Sequence, residues 1–512
     1  MTKSRTKNAA LNIFFSLLLQ LVTCVRGLIL PGIIIPAYGS DVNGLVSSIT
    51  QFLTYISLLE AGVGSIFRAS LYKPLANGDM DMVSGIINEQ KRFYRKIGMI
   101  FVLYVIALCF IYPMIAKTDA SKPYVISLLL ILSVSTFTEY FFSLPYTSLL
   151  SADQLVRITY IVSIVYTLVN ILVSLVCVSL KADIRTIYLS MSVIGLLRPL
   201  FYTLYVRKHY RLNKSATPDK VAMAQRTNGM VHHFAYYIHT NTDSAILTIF
   251  LGTAMVSVYN VYGAIIFGVE KIITSVSSGA SASIGNLIAS GSKEDINKTT
   301  DVFELVQGGI ATVIYTITAI LLIPFIRLYT VNMTDVNYLH PVFGYTLIFA
   351  ELIYCFRCIY STVSTSANKF KETQLGAVLE CVVNLVSSLV LVLIAKMGLI
   401  GVAIGTVLGM LVRYIFEVVF LSKNVIYRPV RKAVKMMAAS ASVCALSVLI
   451  CHSVINYSAI ETYGSWVCYA VVTTLITVSV AALIYFGLYR KVMLSIMRRI
   501  LKKHRFEGSR RP

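Results

Sequence analysis

Acidic residues are scarce in this sequence: 23 Asp and Glu stand against 45 Lys and Arg, and only 13% of the 512 residues are charged at all. No stretch between the apolar runs is long enough to build a soluble domain of its own. Enzyme signatures are missing too: there is no Walker A loop, no HExxH and no nucleophile elbow in a suitable strand-to-helix setting. Without a nucleotide site, any transport by this chain must draw on an ion gradient or let its substrate run downhill. The nine cysteines all fall inside apolar runs, which excludes a secreted disulfide framework. Cys355 and Cys358 form a CxxC, but at mid-span in a helix they read as small packing residues rather than as metal ligands or a redox pair. No resident cofactor and no metal site are expected.

What is present is apolar. Hydrophobic residues make up 57% of the chain and mean hydropathy is +0.75, more apolar surface than a soluble fold of this length can hide. Continuous runs of about 20 residues, twice the length of a barrel strand, predict helical spans. They lie near 11–36, 44–67, 97–116, 124–150, 157–180 and 186–206, then near 229–251, 254–279, 304–326, 341–366, 374–395, 398–421, 436–456 and 464–488. The expectation is an all-α integral membrane protein of about 14 transmembrane helices. It divides into a six-helix lobe over 1–206, a basic connector over 207–227, a second six-helix lobe over 228–421, two additional helices over 422–488 and a basic tail over 489–512. Such paired lobes would enclose a central cavity. The first run, from Leu11 to Ile35, is too long for a signal-peptide core and is read as a retained span.

The net charge of +22 is explained by its placement. With loops assigned alternately to the two sides, roughly three quarters of the Lys and Arg fall on the side of the N-terminus, which is the positive-inside signature. The basic segments are Lys3 to Lys7, Arg68 to Lys96, Arg207 to Arg226, Lys423 to Lys435 and Arg490 to Arg511, whereas Tyr38 to Asn43 and Asn456 to Gly464 carry no base. Both termini are therefore expected in the cytoplasm, with the tail solvated or against anionic lipid rather than nucleic acid. A faint repeat links the two halves. Tyr38-Gly39 followed by Asn43-Gly44 opens the second span as Leu251-Gly252 followed by Tyr259-Asn260 opens the eighth, and a small-residue patch follows each, Ala61 to Gly64 and Ser278 to Ser281.

Ionisable groups inside spans carry the most information, since each costs at least about 2.5–3.5 kcal/mol at mid-bilayer on insertion scales. The bases are Arg26, Arg198, Lys271, Arg357 and Arg413; the acids are Glu60, Glu139, Asp243, Glu270, Glu351, Glu380 and Glu417. Arg413 and Glu417, four apart, can pair on one face, and Glu270 and Lys271 can snorkel to a nearby end. Arg26 has no acid in its own helix, and Gly27 and Pro31 favour a local bend that can line a cavity. Arg26, Arg198 and Arg357 are thus candidates for holding a pyrophosphate, a task that suits planar guanidinium groups; the competing reading pairs them with Glu60, Glu139 or Glu351. Glu60 and Asp243, the latter beside Asn241, Thr242 and Ser244, are candidates for carrying a coupling proton or sodium ion, while polar groups of this kind equally hold helices together. His232, His233 and His239 lack a Cys or acidic companion and read as interfacial. Of the 32 tyrosines, most fit interfacial belts, and their rings also stack on sugars.

The segments Ile29-Leu-Pro-Gly-Ile-Ile-Ile-Pro-Ala-Tyr-Gly39, Asn43-Gly-Leu-Val-Ser-Ser-Ile-Thr-Gln-Phe-Leu53, Leu58-Leu-Glu-Ala-Gly62 and Leu71-Tyr-Lys-Pro-Leu75 resemble bacterial polysaccharide biosynthesis proteins of the Wzx type. Asn241-Thr-Asp-Ser-Ala-Ile-Leu-Thr-Ile-Phe-Leu-Gly252 with Val258-Tyr259 resembles the opening of that family's second half. The family lies in the multidrug/oligosaccharidyl-lipid/polysaccharide exporter (MOP) superfamily. The resemblance implies two six-helix lobes and transfer of an undecaprenyl-diphosphate-linked oligosaccharide from the cytoplasmic to the periplasmic leaflet of the inner membrane. It also implies a cationic central cavity with Arg26 at the position of a first-helix arginine. Lipid-linked oligosaccharide, membrane lipids and other glycan-assembly proteins would be the partners, and O-antigen, capsule or exopolysaccharide the product. Two other classes compete. A cation-coupled drug extruder would want an acidic cavity and only twelve spans; the other class is a membrane scaffold or a polytopic transferase or polymerase of the same glycan pathway, and glycan polymerases and ligases want a larger outer loop than the one at 327–340.

Overall fold

The computed structural model describes residues 2–60, 63–217, 241–456 and 459–508, and every regular element among them is helical. In chain order these are α1 (Thr2–Tyr38), α2 (Ser40–Thr54), α3 (Val63–Asn77), α4 (Met80–Ile115), α5 (Lys122–Thr138), α6 (Leu144–Ala152), α7 (Val156–Ser179), α8 (Ile184–Gly195) and α9 (Leu197–His209). A helical stretch over 241–251 precedes α10 (Thr253–Ser290), α11 (Lys293–Tyr329), α12 (Pro341–Ser366), α13 (Phe370–Leu389), α14 (Gly398–Asn424), α15 (Arg431–Val454) and α16 (Tyr463–Gly508). Thirteen of the described helical stretches are long and apolar enough to cross a membrane. The chain is an all-α, multi-pass membrane protein. The expected span 229–251 begins on residues outside the described set, as do His232, His233 and His239, part of the connector (218–227) and Ala61-Gly62.

Charge and capping set the polar ends of the helices. The Asp79 carboxylate accepts from Met82 N at 2.9 Å to start α4, and the Asp183 carboxylate accepts from Arg185 N at 2.7 Å to start α8. Ser292 caps α11, whose first turn carries Glu294 and Asp295 and whose last turn carries Arg327, charges that complement the helix dipole at both ends. Asp183 is held below the ordinary carboxylate range by its hydrogen bond from Arg185.

The second expected span is not one continuous helix. After Thr54 the chain tightens into a 3₁₀ turn over Tyr55–Leu59, and α3 restarts at Val63. Glu60 closes that 3₁₀ turn. A π turn over Glu139–Ser143 likewise interrupts the span from Lys122 to Ala152, and there Phe141 lies against Gly98, where a Cβ would come within 2.1 Å of its ring.

Two compact units form, Met1–Ala264 and Ile265–Pro512, dividing within α10. In the first, α1 packs on α7, and Leu45, Ile49, Phe101, Tyr112, Leu128 and Ile187 belong to one buried core. In the second, α12 and α13 pack on α14, and Phe356, Tyr360, Met410, Tyr414 and Met436 belong to another. Lipid tails give helices no hydrophobic reason to associate, so close approach must supply the contact energy. Gly401, Gly405 and Gly409 provide it on α14: a Cβ at Gly405 would lie 2.0 Å from Ser388 Oγ, and one at Gly409 would lie 2.9 Å from the Glu380 carbonyl oxygen.

The internal repeat has a conformational counterpart. Gly39, between α1 and α2, has φ 88° and ψ 161°, and Gly252, between the 241–251 stretch and α10, has φ 99° and ψ 160°. This region is open essentially to glycine alone. Gly39→Ala and Gly252→Ala are each expected to destabilise the protein by about 1–3 kcal/mol. Gly405→Val should do so by a similar about 1–3 kcal/mol through overpacking. Thermal unfolding in detergent, with Gly487→Ala as a control at a helical glycine that has open space around it, measures these losses.

Candidate functional site

The first unit contains a polar seam that joins the two glycine turns. Asp41, in the first turn of α2, accepts hydrogen bonds from Thr118 Oγ1 at 2.7 Å and from Asp119 N at 3.2 Å, and its other oxygen accepts from Thr253 Oγ1. Backbone bonds link Lys117 N to Thr248 O at 3.1 Å and Thr253 N to Lys117 O at 3.0 Å, while Lys117 Nζ donates to Phe250 O at 2.8 Å. Deeper along α2, Asn43 Nδ2 donates to Ser257 Oγ at 2.8 Å, and Ser48 Oγ meets both Thr248 Oγ1 at 2.6 Å and Tyr112 OH at 2.8 Å. Tyr55 OH then donates to Asn241 O at 2.9 Å. Gly44 allows the approach, because a Cβ there would overlap the Thr253 carbonyl at 1.7 Å. A seam of short hydroxyl and amide side chains, with one carboxylate and one lysine at its end, holds two chain segments 200 residues apart.

Of the ion-coupling candidates, Asp243 is buried and its Oδ2 accepts from Tyr259 OH at 3.0 Å. Glu60 accepts from Tyr94 OH at 2.7 Å and lies within electrostatic reach of Glu139 and Arg68. Two carboxylates and a buried tyrosine therefore gather where α2 and α3 are interrupted and where the π turn begins, beside the buried Gln90 amide. Glu139 itself is exposed.

The three arginine candidates differ in their surroundings. Arg26 is half-buried on α1, its Nε is buried without a hydrogen-bond partner among the described residues, and Tyr188 is within electrostatic reach. Arg198, on α9, lies 5.0 Å from the Tyr166 ring centroid, and its Nε is also buried without a hydrogen-bond partner among the described residues. Neither makes an ion pair among the described residues. Arg357, in the second unit, is 3% exposed, sits 3.9 Å from Glu417 Oε1, and stacks 4.7 Å from the Tyr354 ring.

Arg357 belongs to a buried charge cluster. Arg413 Nε donates to Glu417 Oε1 at 2.8 Å and its Nη1 to Glu380 Oε2 at 2.5 Å, while Ser361 Oγ donates to Glu417 Oε2 at 2.8 Å. The expected Arg413–Glu417 pair is thus made, and it extends to Glu380 on α13 and Arg357 on α12. Two guanidinium groups and two carboxylates bind three helices at no net charge, and Glu270 lies within electrostatic reach of Arg357.

A second cluster was not foreseen. Arg428, in the segment between α14 and α15, donates to Asp301 at 2.8 Å, to Glu304 at 2.7 Å and to Tyr360 OH at 2.5 Å, and Tyr360 OH donates to Glu304 at 2.7 Å. Lys432 adds a bond to Asp301 at 2.6 Å. Burial disfavours the Arg428 charge, but Glu304, Tyr360 and Asp301 outweigh it and hold the guanidinium above its ordinary range. Asp301 and Glu304, three apart at the polar start of a span, were the available signal.

No known family model matches the chain, and no curated protein matches its sequence. Solved structures do match. A lipid II flippase, MurJ, in an inward closed conformation is 15% identical with a TM-score of 0.68, over 94% of this chain and 100% of that one. A multidrug resistance MATE family transporter of the MOP superfamily, inward-facing, is 15% identical with a TM-score of 0.62, over 82% of this chain and 95% of that one. The eukaryotic MATE transporter AtDTX14 is 13% identical with a TM-score of 0.54, over 85% and 99%.

Removing one member of the buried α12–α13–α14 cluster would strand a charge, so Arg413→Leu is expected to destabilise the protein by about 3–5 kcal/mol. Arg413→Leu combined with Glu380→Leu leaves Arg357 with Glu417 and should recover most of that loss. Unfolding of the purified single and double variants in detergent checks both outcomes. The chain has the fold shared by the MurJ flippase and the MATE transporters of the MOP superfamily.

Proposed function

We propose that this protein is a transporter that flips an undecaprenyl-diphosphate-linked oligosaccharide from the cytoplasmic to the periplasmic leaflet of a bacterial inner membrane, supplying cell-surface polysaccharide synthesis. It does so by alternating access and not by enzymatic chemistry. The observation that carries the reading is the state of Arg26 and Arg198: two arginines on apolar helices, each with a buried Nε that lacks a hydrogen-bond partner and neither in an ion pair among the described residues. A guanidinium kept in such a place wants an anion, and a diphosphate offers the planar, bidentate acceptor that it fits. Arg357 is the third candidate ligand.

In this reading the seam from Asp41 to Tyr55 is a gate at the side opposite the basic loops. It is built from many short hydrogen bonds rather than from a large apolar interface, so that it can be broken and remade without exposing hydrophobic surface to water. Glu60, beside Glu139, and Asp243 are the sites where a proton or sodium ion would bias the gate. A second reading, a cation-coupled drug extruder, is favoured by the same Glu60–Glu139 pair, which would also receive a cationic compound.

Depleting the protein is expected to leave lipid-linked oligosaccharide on the cytoplasmic leaflet and to remove surface glycan; normal surface glycan with altered drug sensitivity would support the extruder instead. Arg26→Ala should abolish export at an unchanged membrane level of protein, and undiminished export would sink the cationic-site proposal. For the gate, Asn43→Cys with Ser257→Cys should form an oxidant-dependent cross-link that stops export and is reversed by reductant. Export that continues while the pair is cross-linked would show that the seam does not open during transport.

A further inference from the structure

At the basic end of the second unit a cavity of about 350 Å³ opens between α11, α15 and the bend in α16. α16 is not one straight helix. Tyr489 has φ −127° and ψ 29°, a non-helical conformation that separates the apolar stretch from Tyr463 to Leu488 from the basic stretch that begins at Arg490. The bend turns Tyr489 toward the Arg428 cluster: its hydroxyl is buried without a hydrogen-bond partner among the described residues, and Glu304, Arg428 and Asp301 are within electrostatic reach.

The charge count around this cavity does not balance. Asp301 and Glu304 line it, but both are engaged by Arg428 and Lys432 in the ion pairs described above, so those four groups cancel. Lys435, Arg490 and Lys491 remain, all exposed and none in an ion pair among the described residues. Lys435 Nζ is held in place, 3.0 Å from the Leu488 carbonyl and 4.8 Å from the Tyr489 ring centroid. The other walls are apolar: Leu305, Met436, Leu488 and Val492. Three surplus cations and a buried hydroxyl beside a greasy wall form a site for an amphiphile with an anionic head.

We propose that this cavity is a binding site for an anionic phospholipid of the adjoining leaflet, with its phosphodiester held by Lys435, Arg490 and Lys491 and its glycerol and upper acyl region against the apolar wall. The sequence beyond the bend continues in the same sense. Val492, Met493, Ile496, Met497, Ile500 and Leu501 recur at helical spacing between Arg498, Arg499, Lys502 and Lys503, the pattern of a basic amphipathic helix suited to a negatively charged membrane surface. A lipid seated at Tyr489 fastens that helix to the membrane where it leaves the last span. This assignment stands independently of the substrate that the protein carries.

The test is native mass spectrometry of the full-length protein released from detergent, with phosphatidylglycerol, phosphatidylcholine or inorganic phosphate added. The wild type is expected to retain phosphatidylglycerol over phosphatidylcholine. The triple variant Lys435→Gln/Arg490→Gln/Lys491→Gln should lose that preference by roughly fivefold per cation, on the order of a hundredfold in all. If the triple variant does not fold, Arg490→Gln/Lys491→Gln, at two exposed positions, should lose roughly twenty-five-fold. Equal retention of the two lipids by the wild type would overturn the proposal, as would an unchanged preference in the variants. Displacement of phosphatidylglycerol by millimolar phosphate would also overturn it, by assigning the site to a soluble anion.

Discussion

Hydrocarbon offers a peptide group nothing to bond to and a charge nothing to be solvated by, and nearly every feature of this chain follows from that one constraint. It makes the spans helical and forces each interruption of a helix to find new partners for the groups it frees. It also makes charge neutralisation a condition of folding in the second unit, where Arg413 and Arg357 are tied to Glu380 and Glu417 across three helices. The glycine row on α14 belongs to the same logic, because close packing supplies contact energy to helices that lipid would otherwise solvate equally well.

Against that background, three places depart from full compensation. The seam in the first unit uses hydroxyls and amides, groups that hold two surfaces together yet can exchange partners, and it ends in the single carboxylate of Asp41. Around Glu60 the helix is interrupted, a π turn begins at Glu139, and the two carboxylates are near enough to feel each other. Such irregular backbone is tolerated at membrane depth where it lines something other than lipid. Arg26 and Arg198 depart further still, as guanidinium groups without a protein anion among the described residues.

The seam and the paired turns also explain one another. Gly39 and Gly252 adopt nearly the same rare backbone conformation, so each reverses the chain directly into a following helix with no loop between. The helices that follow, α2 and α10, then present Asn43 and Ser257 to each other at equivalent depths, four and five residues beyond their glycines. A repeat barely visible as residue identity is preserved as geometry, because the turn demands glycine while the surrounding side chains need only be small and polar.

Much of the architecture was legible in the sequence. The spans follow from apolar runs and their bounding charges, since length and hydropathy alone decide whether a helix can cross a bilayer. The i, i+4 spacing of Arg413 and Glu417 made their pairing readable because both partners lie on one helix. What the sequence alone could not supply were partners set by packing between distant segments. Glu380 completes the Arg413 pair from 33 residues away, Arg428 finds Asp301 and Glu304 from more than 120, and Asp41 meets Thr253 from 212. Sequence spacing fixes which face of a helix a residue occupies; only the packing of one helix against another decides which charge or hydroxyl it meets there.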